Sequence, residues 1–296
     1  MLHYVKCPVC DSDNIHPQLT VRDHTVSQSV FSIWHCNGCT ARFTQDAPDQ
    51  SSIPAYYASE DYISHSDTKK GLINSLYHRV RKHTLNAKRR LVIRESGIEK
   101  GAVLDLGCGT GAFLHTMRKA GWDVTGIEPD LQARANATAL YDITPLDPEK
   151  LYELKAECFH AITLWHVLEH VHDLKGYLKQ LSVLLAPGGK LFIAVPNYTS
   201  YDAAVYSENW AAYDVPRHLY HFSPQSMKRL LSTFNLKLSN TRPMWFDSFY
   251  VSMLSEKYLN GKGNFMRAFW NGFLSNLKAC RNPEKCSSLI YVAERI

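Results

Sequence analysis

The middle of the chain alternates short apolar runs with amphipathic stretches, and this rhythm predicts a strand–helix repeat. Ala102-Val-Leu-Asp-Leu106 reads as a buried strand, Gly107 to Gly111 as a turn, and Ala112 to Ala120 as a helix closed by Gly121. Asp123 to Ile127, Ile143 to Leu146, Phe159 to Leu164 and Lys190 to Val195 are further strand candidates, the last stopped by Pro196. Leu131 to Leu140 and Leu174 to Leu185 are helices between them. Short apolar runs alternating with helices predict a parallel sheet covered on both faces. Upstream, Leu72, Leu76 and Val80 recur at i, i+4 spacing and predict a helix over 71–97, with Gly97 as its stop.

Beyond Pro196 the rhythm changes. Residues 197–222 are aromatic and irregular. Ser223 is placed to cap a helix through Leu231, with Pro224 at its first position. Leu236 to Thr241 is a strand candidate, 245–279 reads as helical and aromatic-rich, and Ser288 to Ala293 is a last strand that must insert late into the sheet. Trp245, Phe246, Phe249, Tyr250, Phe265 and Phe269 are expected in the core rather than around a ligand.

The chemistry concentrates in Asp105-Leu-Gly-Cys-Gly-Thr-Gly111. Glycines after a strand let the backbone bend sharply and approach a ligand. The helix that follows presents free N–H groups to an anion. Glu128, at the end of the next strand, can accept hydrogen bonds from both hydroxyls of a ribose. A nicotinamide dinucleotide and S-adenosylmethionine both fit this much. Asp105 favours the second, because a carboxylate at the strand end repels a pyrophosphate and suits an ammonium.

These residues resemble the class I S-adenosylmethionine-dependent methyltransferases over about 70–240. Asp105 to Gly111 is similar to their first motif, Gly126-Ile-Glu-Pro-Asp130 to the second, Leu164-Trp-His-Val-Leu-Glu-His170 to the segment after the fourth strand, and Leu185-Ala-Pro-Gly-Gly189 to the turn before the fifth. The resemblance implies an α/β, Rossmann-like fold with a seven-stranded sheet whose last strand is antiparallel. It implies a cofactor site of Asp105, Gly107, Cys108, Gly109, Gly111, Glu128, Pro129, Leu146, Asp147, Trp165 and His166. Within that set Asp105, Gly107 and Gly109 would line the methionine part, Glu128 would hold the ribose, and Leu146 and Asp147 would flank the adenine.

Two C-x-x-C pairs, Cys7-Pro-Val-Cys10 and Cys36-Asn-Gly-Cys39, precede this region. Four thiolates in two tight knuckles suit closed tetrahedral Zn²⁺ coordination, with Gly38 easing the second turn. Val21 to Thr25 and Phe31 to His35 would form a small ribbon between them. The expected organisation is a zinc-binding, zinc-ribbon-like domain at 1–45, a linker and helical cap at 46–98, and the methyltransferase domain at 99–296 with an aromatic-rich insertion at 245–285.

Methyl transfer from a sulfonium needs alignment and a dry site more than it needs chemistry from the protein. An acceptor that carries a proton also needs a base, for which histidine suits neutral pH. Trp165, His166 and His170 follow the fourth strand, at the edge where open α/β sheets bind ligands. Asp214-Val-Pro-Arg-His-Leu-Tyr-His-Phe222 resembles a bacterial methyltransferase subgroup marked by Pro-Arg-His-Leu and His-Phe-Ser; Tyr56-Tyr57, Glu60, Tyr62 and His65 resemble another segment of that subgroup. His218 or His221 is the expected base, Arg217 the expected binder of an anionic substrate group, and His166 a further catalytic candidate.

The formal net charge of +5 is modest. A helix bearing Arg79, Arg81, Lys82, Lys88, Arg89, Arg90 and Arg94 would suit RNA, but it reads better as a solvated face. Apolar runs are strand-sized, so no membrane span is expected. The N-terminus has no signal-peptide core, and a cytoplasmic location is expected. The favoured function is methylation of a small molecule: a polar metabolite, sugar or lipid precursor. Alternatives are an RNA- or protein-modifying methyltransferase docking through the ribbon, and a non-catalytic zinc-ribbon binding protein.

Overall fold

The computed structural model describes residues 1–57 and 72–296, with 72–79 described in their backbone only. Glu60, Tyr62 and His65 therefore lie outside the described residues. At the N-terminus β1 (Ile15–Arg22), β2 (Val30–Cys36) and β3 (Arg42–Gln45) form an antiparallel ribbon. The helix Leu72–Ser96 then leads into β4 (Ala102–Leu106), β5 (Asp123–Ile127), β6 (Phe159–Trp165) and β7 (Leu185–Pro196). These four pair in parallel in the order β5-β4-β6-β7. Leu104, Leu106, Ile162, Leu164, Phe192 and Ile193 are fully buried, as a sheet covered on both faces requires.

Helix starts follow the polar residues that precede them. The Asp130 carboxylate accepts from Ala133 N at 2.6 Å and opens Leu131–Tyr141. Asp173 does the same for Leu174–Leu184 through Gly176 N. Ser223 and Ser226 satisfy each other's backbone N–H in a reciprocal cap, with Pro224 at the first position of Pro224–Thr233. Each such cap contributes about 1 kcal/mol.

The remaining strands are β8 (Tyr220–His221), β9 (Leu236–Pro243) and β10 (Ser288–Arg295). β10 inserts antiparallel between β7 and β9, as expected for the last strand. The sheet has six strands, however, not seven. The stretch expected as the third strand makes a single bridge, Ile127 to Leu146. Pro145 has no N–H to extend the ladder, and two residues later Asp147 caps the turn Pro148–Glu153.

β8 joins the other sheet: His221 pairs with Arg42 and Tyr220 with Phe43. The irregular 197–222 segment thus lies against the cysteine-bearing ribbon. The aromatic-rich stretch folds as two helices, Asp247–Asn260 and Phe265–Arg281. Its aromatics are not core as expected. Trp245, Phe246, Tyr250, Phe265 and Phe269 are 40–75% exposed, and only Phe249 is half-buried. The packed faces of both helices carry small residues instead. No helix among the described residues is long and apolar enough to cross a membrane.

Candidate functional site

The carboxyl ends of β4, β5 and β6 build one cleft. Gly107, Gly109 and Gly111 all have positive φ (63°, 54° and 77°), a region that favours glycine. A side chain at Gly107 would meet Val167 Cγ2 at 2.6 Å, whereas one at Gly109 would point into open space. The loop is therefore pressed against the segment after β6 and open on its other side. Glu128 is buried; its carboxylate accepts from Gly109 N at 2.7 Å and Asp130 N at 3.0 Å. Burial pushes its pKa up, against those two hydrogen bonds. Asp105 is 2% exposed and accepts from Thr163 Oγ1 at 2.6 Å. Burial pushes it up to about 7, against the Thr163 bond and the charge of Lys88.

Lys88 was missed as a site residue. Its ammonium sits 4.3 Å from the centroid of the Trp165 ring, near Asp105 and Asp247, and burial lowers its pKa against those two carboxylates. Sequence reasoning counted it with a solvated basic face, yet it turns inward. Trp165 itself packs edge-on against Phe113, and its buried indole N–H has no partner among the described residues. Of the other cofactor candidates, Cys108 is buried, Pro129 lies exposed beside Glu128, Leu146 donates to Gly126 O, and Asp147 pairs with Arg134 at 3.1 Å. Two carboxylates, a cation and an open glycine turn suit a zwitterionic amino acid joined to a ribose.

Next to this cleft stands a second cluster. His166, at φ 60°, holds Asp247 through Nε2 at 3.0 Å and Glu169 through Nδ1 at 3.3 Å. Burial works against an imidazolium there, but the two carboxylates push the pKa up to about 10. His166 is thus a cation at neutral pH and not a base. Glu169, His170 and His218 present ligand atoms within 4.8 Å of one another. His170 Nδ1 faces the Arg217 carbonyl at 3.1 Å, and His218 Nδ1 faces the Ala212 carbonyl at 2.9 Å. A carbonyl only accepts, so in the neutral ring His218 Nδ1 carries the hydrogen and its Nε2, 3.9 Å from Asp214 Oδ2, is an acceptor; His170 Nδ1 also meets the Tyr57 hydroxyl at 3.0 Å, which can donate to it or accept from it. Burial and His218 push His170 down to about 4, and Glu169 Oε2 is buried with no partner among the described residues. Glu169 and His218 Nε2 are acceptors that can take a proton.

Two candidates point elsewhere. Arg217 is 1% exposed and bonds inside the protein: to Asp214 at 2.6 Å, Asp23 at 3.1 Å and the Tyr56 carbonyl at 2.9 Å. Asp23 is in turn held by the backbone and hydroxyls of Thr25 and Ser27. His221, 4% exposed, meets the Thr44 hydroxyl at 3.1 Å and stacks edge-on with Tyr213. Burial holds its pKa well below the ordinary value. Both residues lie in the seam under the N-terminal ribbon.

Cys7, Cys10, Cys36 and Cys39 come together with all four sulfurs within 4.8 Å; Cys7–Cys39 and Cys10–Cys36 are each 3.6 Å apart. Tetrahedral ligands at about 2.3 Å from a zinc ion would be about 3.8 Å apart, so the donor set fits. Each pair closes the same way. Asp11 and Thr40, the residues after Cys10 and Cys39, adopt φ near 60° and donate to the carbonyls of Cys7 and Cys36. Thr40, not Gly38, makes the second left-handed turn. Gly38 is instead needed for closeness, since a side chain there would meet Ser12 at 3.1 Å.

A family model described as a methyltransferase domain matches residues 77–240. The ubiquinone biosynthesis O-methyltransferase of Xanthomonas oryzae pv. oryzae (strain PXO99A) is 31% identical over 158 residues, which span 49% of this chain and 66% of that one. Its counterpart in Xanthomonas axonopodis pv. citri (strain 306) is 30% identical over 179 residues, 56% of this chain and 75% of that one. The magnesium protoporphyrin IX methyltransferase of Synechocystis PCC 6803, solved with bound SAH, shares the fold at a TM-score of 0.55 and 13% identity, over 84% of this chain and all of that one. The family match covers the cleft and leaves out both the cysteine-bearing ribbon and the helical hairpin.

Proposed function

The chain belongs to the methyltransferase-domain family, whose members use S-adenosylmethionine, and from that premise we propose that it methylates a hydroxyl oxygen of a small molecule. The observation that carries this reading is the cluster of Glu169, His170 and His218, two of whose members closely follow Val167, the residue pressed against the glycine loop. The related O-methyltransferases favour oxygen as the atom attacked and a metabolite, sugar or lipid precursor as the acceptor.

When bound, S-adenosylmethionine supplies an activated methyl group, so the chain's own residues position, dehydrate and move a proton. Asp105 and Lys88 would hold the ammonium and carboxylate of its methionine part, and Glu128 its ribose hydroxyls. Gly109 leaves room for the bend of the ligand. His218, with its hydrogen fixed on Nδ1, takes the acceptor's proton on Nε2. Arg217 and His221 keep the 207–222 segment fastened to the ribbon, and so keep His218 in place. Cys7, Cys10, Cys36 and Cys39 would hold one structural Zn²⁺, which builds the ribbon that β8 joins.

The test is His218→Ala, assayed with methyl-labelled cofactor and a metabolite extract, alongside calorimetry of cofactor binding. Turnover is expected to fall by about 10²–10⁴-fold, the usual weight of a general base, while cofactor affinity is unchanged. Undiminished turnover, or an equal loss of cofactor affinity, removes His218 from this role.

A further inference from the structure

The helical hairpin at 245–285 is built inside out for a helix pair on a protein surface. In Phe265–Arg281 the bulky Phe265, Met266, Phe269, Trp270, Phe273 and Leu277 share one face and are 43–75% exposed. The opposite face, Ala268, Gly272, Ser275 and Ala279, is buried. The partner helix Asp247–Asn260 also turns small residues inward, Ser248, Ser252 and Ser255. Gly272 permits close contact of the two, since a side chain there would meet Phe249 at 2.8 Å. Polar bonds anchor the hairpin: Ser275 Oγ donates to the buried Asp202 at 2.7 Å, and Ser255 Oγ accepts from Ala211 N at 2.9 Å. Phe249, Phe269, Trp270 and Phe273 form a continuous outer cluster, with successive ring centroids 5.6–6.1 Å apart.

Charge around this face is one-sided. Residues 245–285 contain six Lys or Arg and three acids. Asp247 bonds His166, Glu256 is fully buried and bonds Tyr206, and Glu284 alone of the three is exposed. Lys262 and Arg281 are exposed on the hairpin, and Lys278, also exposed, reaches over the Tyr201 ring at 4.5 Å. A second copy of the chain would bring the same cations against one another. An anionic surface with an apolar interior would bury the aromatics and pair the cations at once, which is how an interfacial helix binds.

We propose that the hairpin face of Phe265, Phe269, Trp270 and Phe273 docks the protein on a bilayer that contains anionic phospholipid. The helices lie in the interface rather than across it. The hairpin begins at Asp247, which reaches His166 and so ties it to the cleft. The proposal stands whether or not the acceptor is a hydroxyl.

The full-length, zinc-loaded protein is to be sedimented with vesicles of phosphatidylcholine alone and of phosphatidylcholine with phosphatidylglycerol. Binding is expected to the second, weakened by salt. Trp270→Ser with Phe273→Ser should reduce it by more than about tenfold, since the two lost aromatics together remove more than about 1.4 kcal/mol of burial. Lys262→Glu with Arg281→Glu should erase the preference for anionic vesicles. All four side chains are exposed, and far-ultraviolet circular dichroism confirms that the variants fold. No binding to phosphatidylglycerol vesicles, or equal binding by the aromatic variant, overturns the proposal. So does vesicle-free self-association that the aromatic variant abolishes, which would give the face to a second copy.

Discussion

Gly107→Ala and Gly109→Ala separate what the glycine loop does for the fold from what it does for the ligand. Both residues sit in the left-handed region, at φ 63° and 54°, where an alanine is strained by about 1–2 kcal/mol. Their surroundings differ. A methyl group at position 107 would lie 2.6 Å from Val167 Cγ2, too close for any real contact, and alanine has no rotamer that could move it away. Val167 must move, and Leu168, fully buried next to it, limits how far. Overpacking of this kind costs about 1–3 kcal/mol, so Gly107→Ala should lose about 2–5 kcal/mol in all. A methyl group at position 109 meets nothing within 4 Å, which leaves the strain alone, about 1–2 kcal/mol.

Urea unfolding followed by tryptophan fluorescence measures both losses. Calorimetry with S-adenosylmethionine should rank the two variants the other way. Gly109→Ala fills the open side of the loop and should abolish binding in a protein that still folds well. Equal stability losses would refute the packing argument. A Gly109→Ala protein that binds the cofactor like the wild type would refute the placement of the ligand.

Three further outcomes are expected. Arg217→Ala strands the buried carboxylate of Asp23 and the partly buried one of Asp214, and should destabilise by about 3–5 kcal/mol; a raised KM with an unchanged melting temperature would instead return Arg217 to substrate binding. The purified protein should contain one zinc per chain by metal analysis, and Cys36→Ser should lose both the metal and the protection of the β1–β3 amides from hydrogen exchange; full protection without metal would refute a metal-built ribbon. The native state holds a proton on His166 from its ordinary pKa near 6.5 up to about 10. Its stabilisation is therefore complete below the first value and lost as pH rises through the second, a trend that melting temperatures should show in the wild type and show less in Asp247→Asn.

What the sequence revealed is what local order controls. The glycine loop, Glu128 and the two cysteine pairs announce themselves within a few residues, because a turn and a metal knuckle are short-range objects. The lost third strand was readable too. Pro145 and Pro148 bracket Leu146 and leave it one bridge to make, but the apolar run masked them. The inward small residues of the hairpin were likewise periodic in the sequence. Ala268, Gly272, Ser275 and Ala279 follow helical spacing, and a helix whose small side is its periodic side carries its bulk outward.

What stayed hidden depends on partners far along the chain. Arg217 finds Asp23 across 194 residues, and His221 finds Thr44 across 177. Nothing near either residue distinguishes a buried structural cation or imidazole from a catalytic one. Lys88 shows the converse. Its neighbours on the helix are basic and its own charge looks solvated, yet Asp105, Asp247 and the Trp165 face draw it into the cleft. The charged residues of this protein divide by what the sheet ends place opposite them. A basic residue facing Asp105 in β4 and Asp247 serves the cleft, and one facing Asp23 and Asp214 serves the seam. Exchanging their environments, not their identities, would exchange their roles.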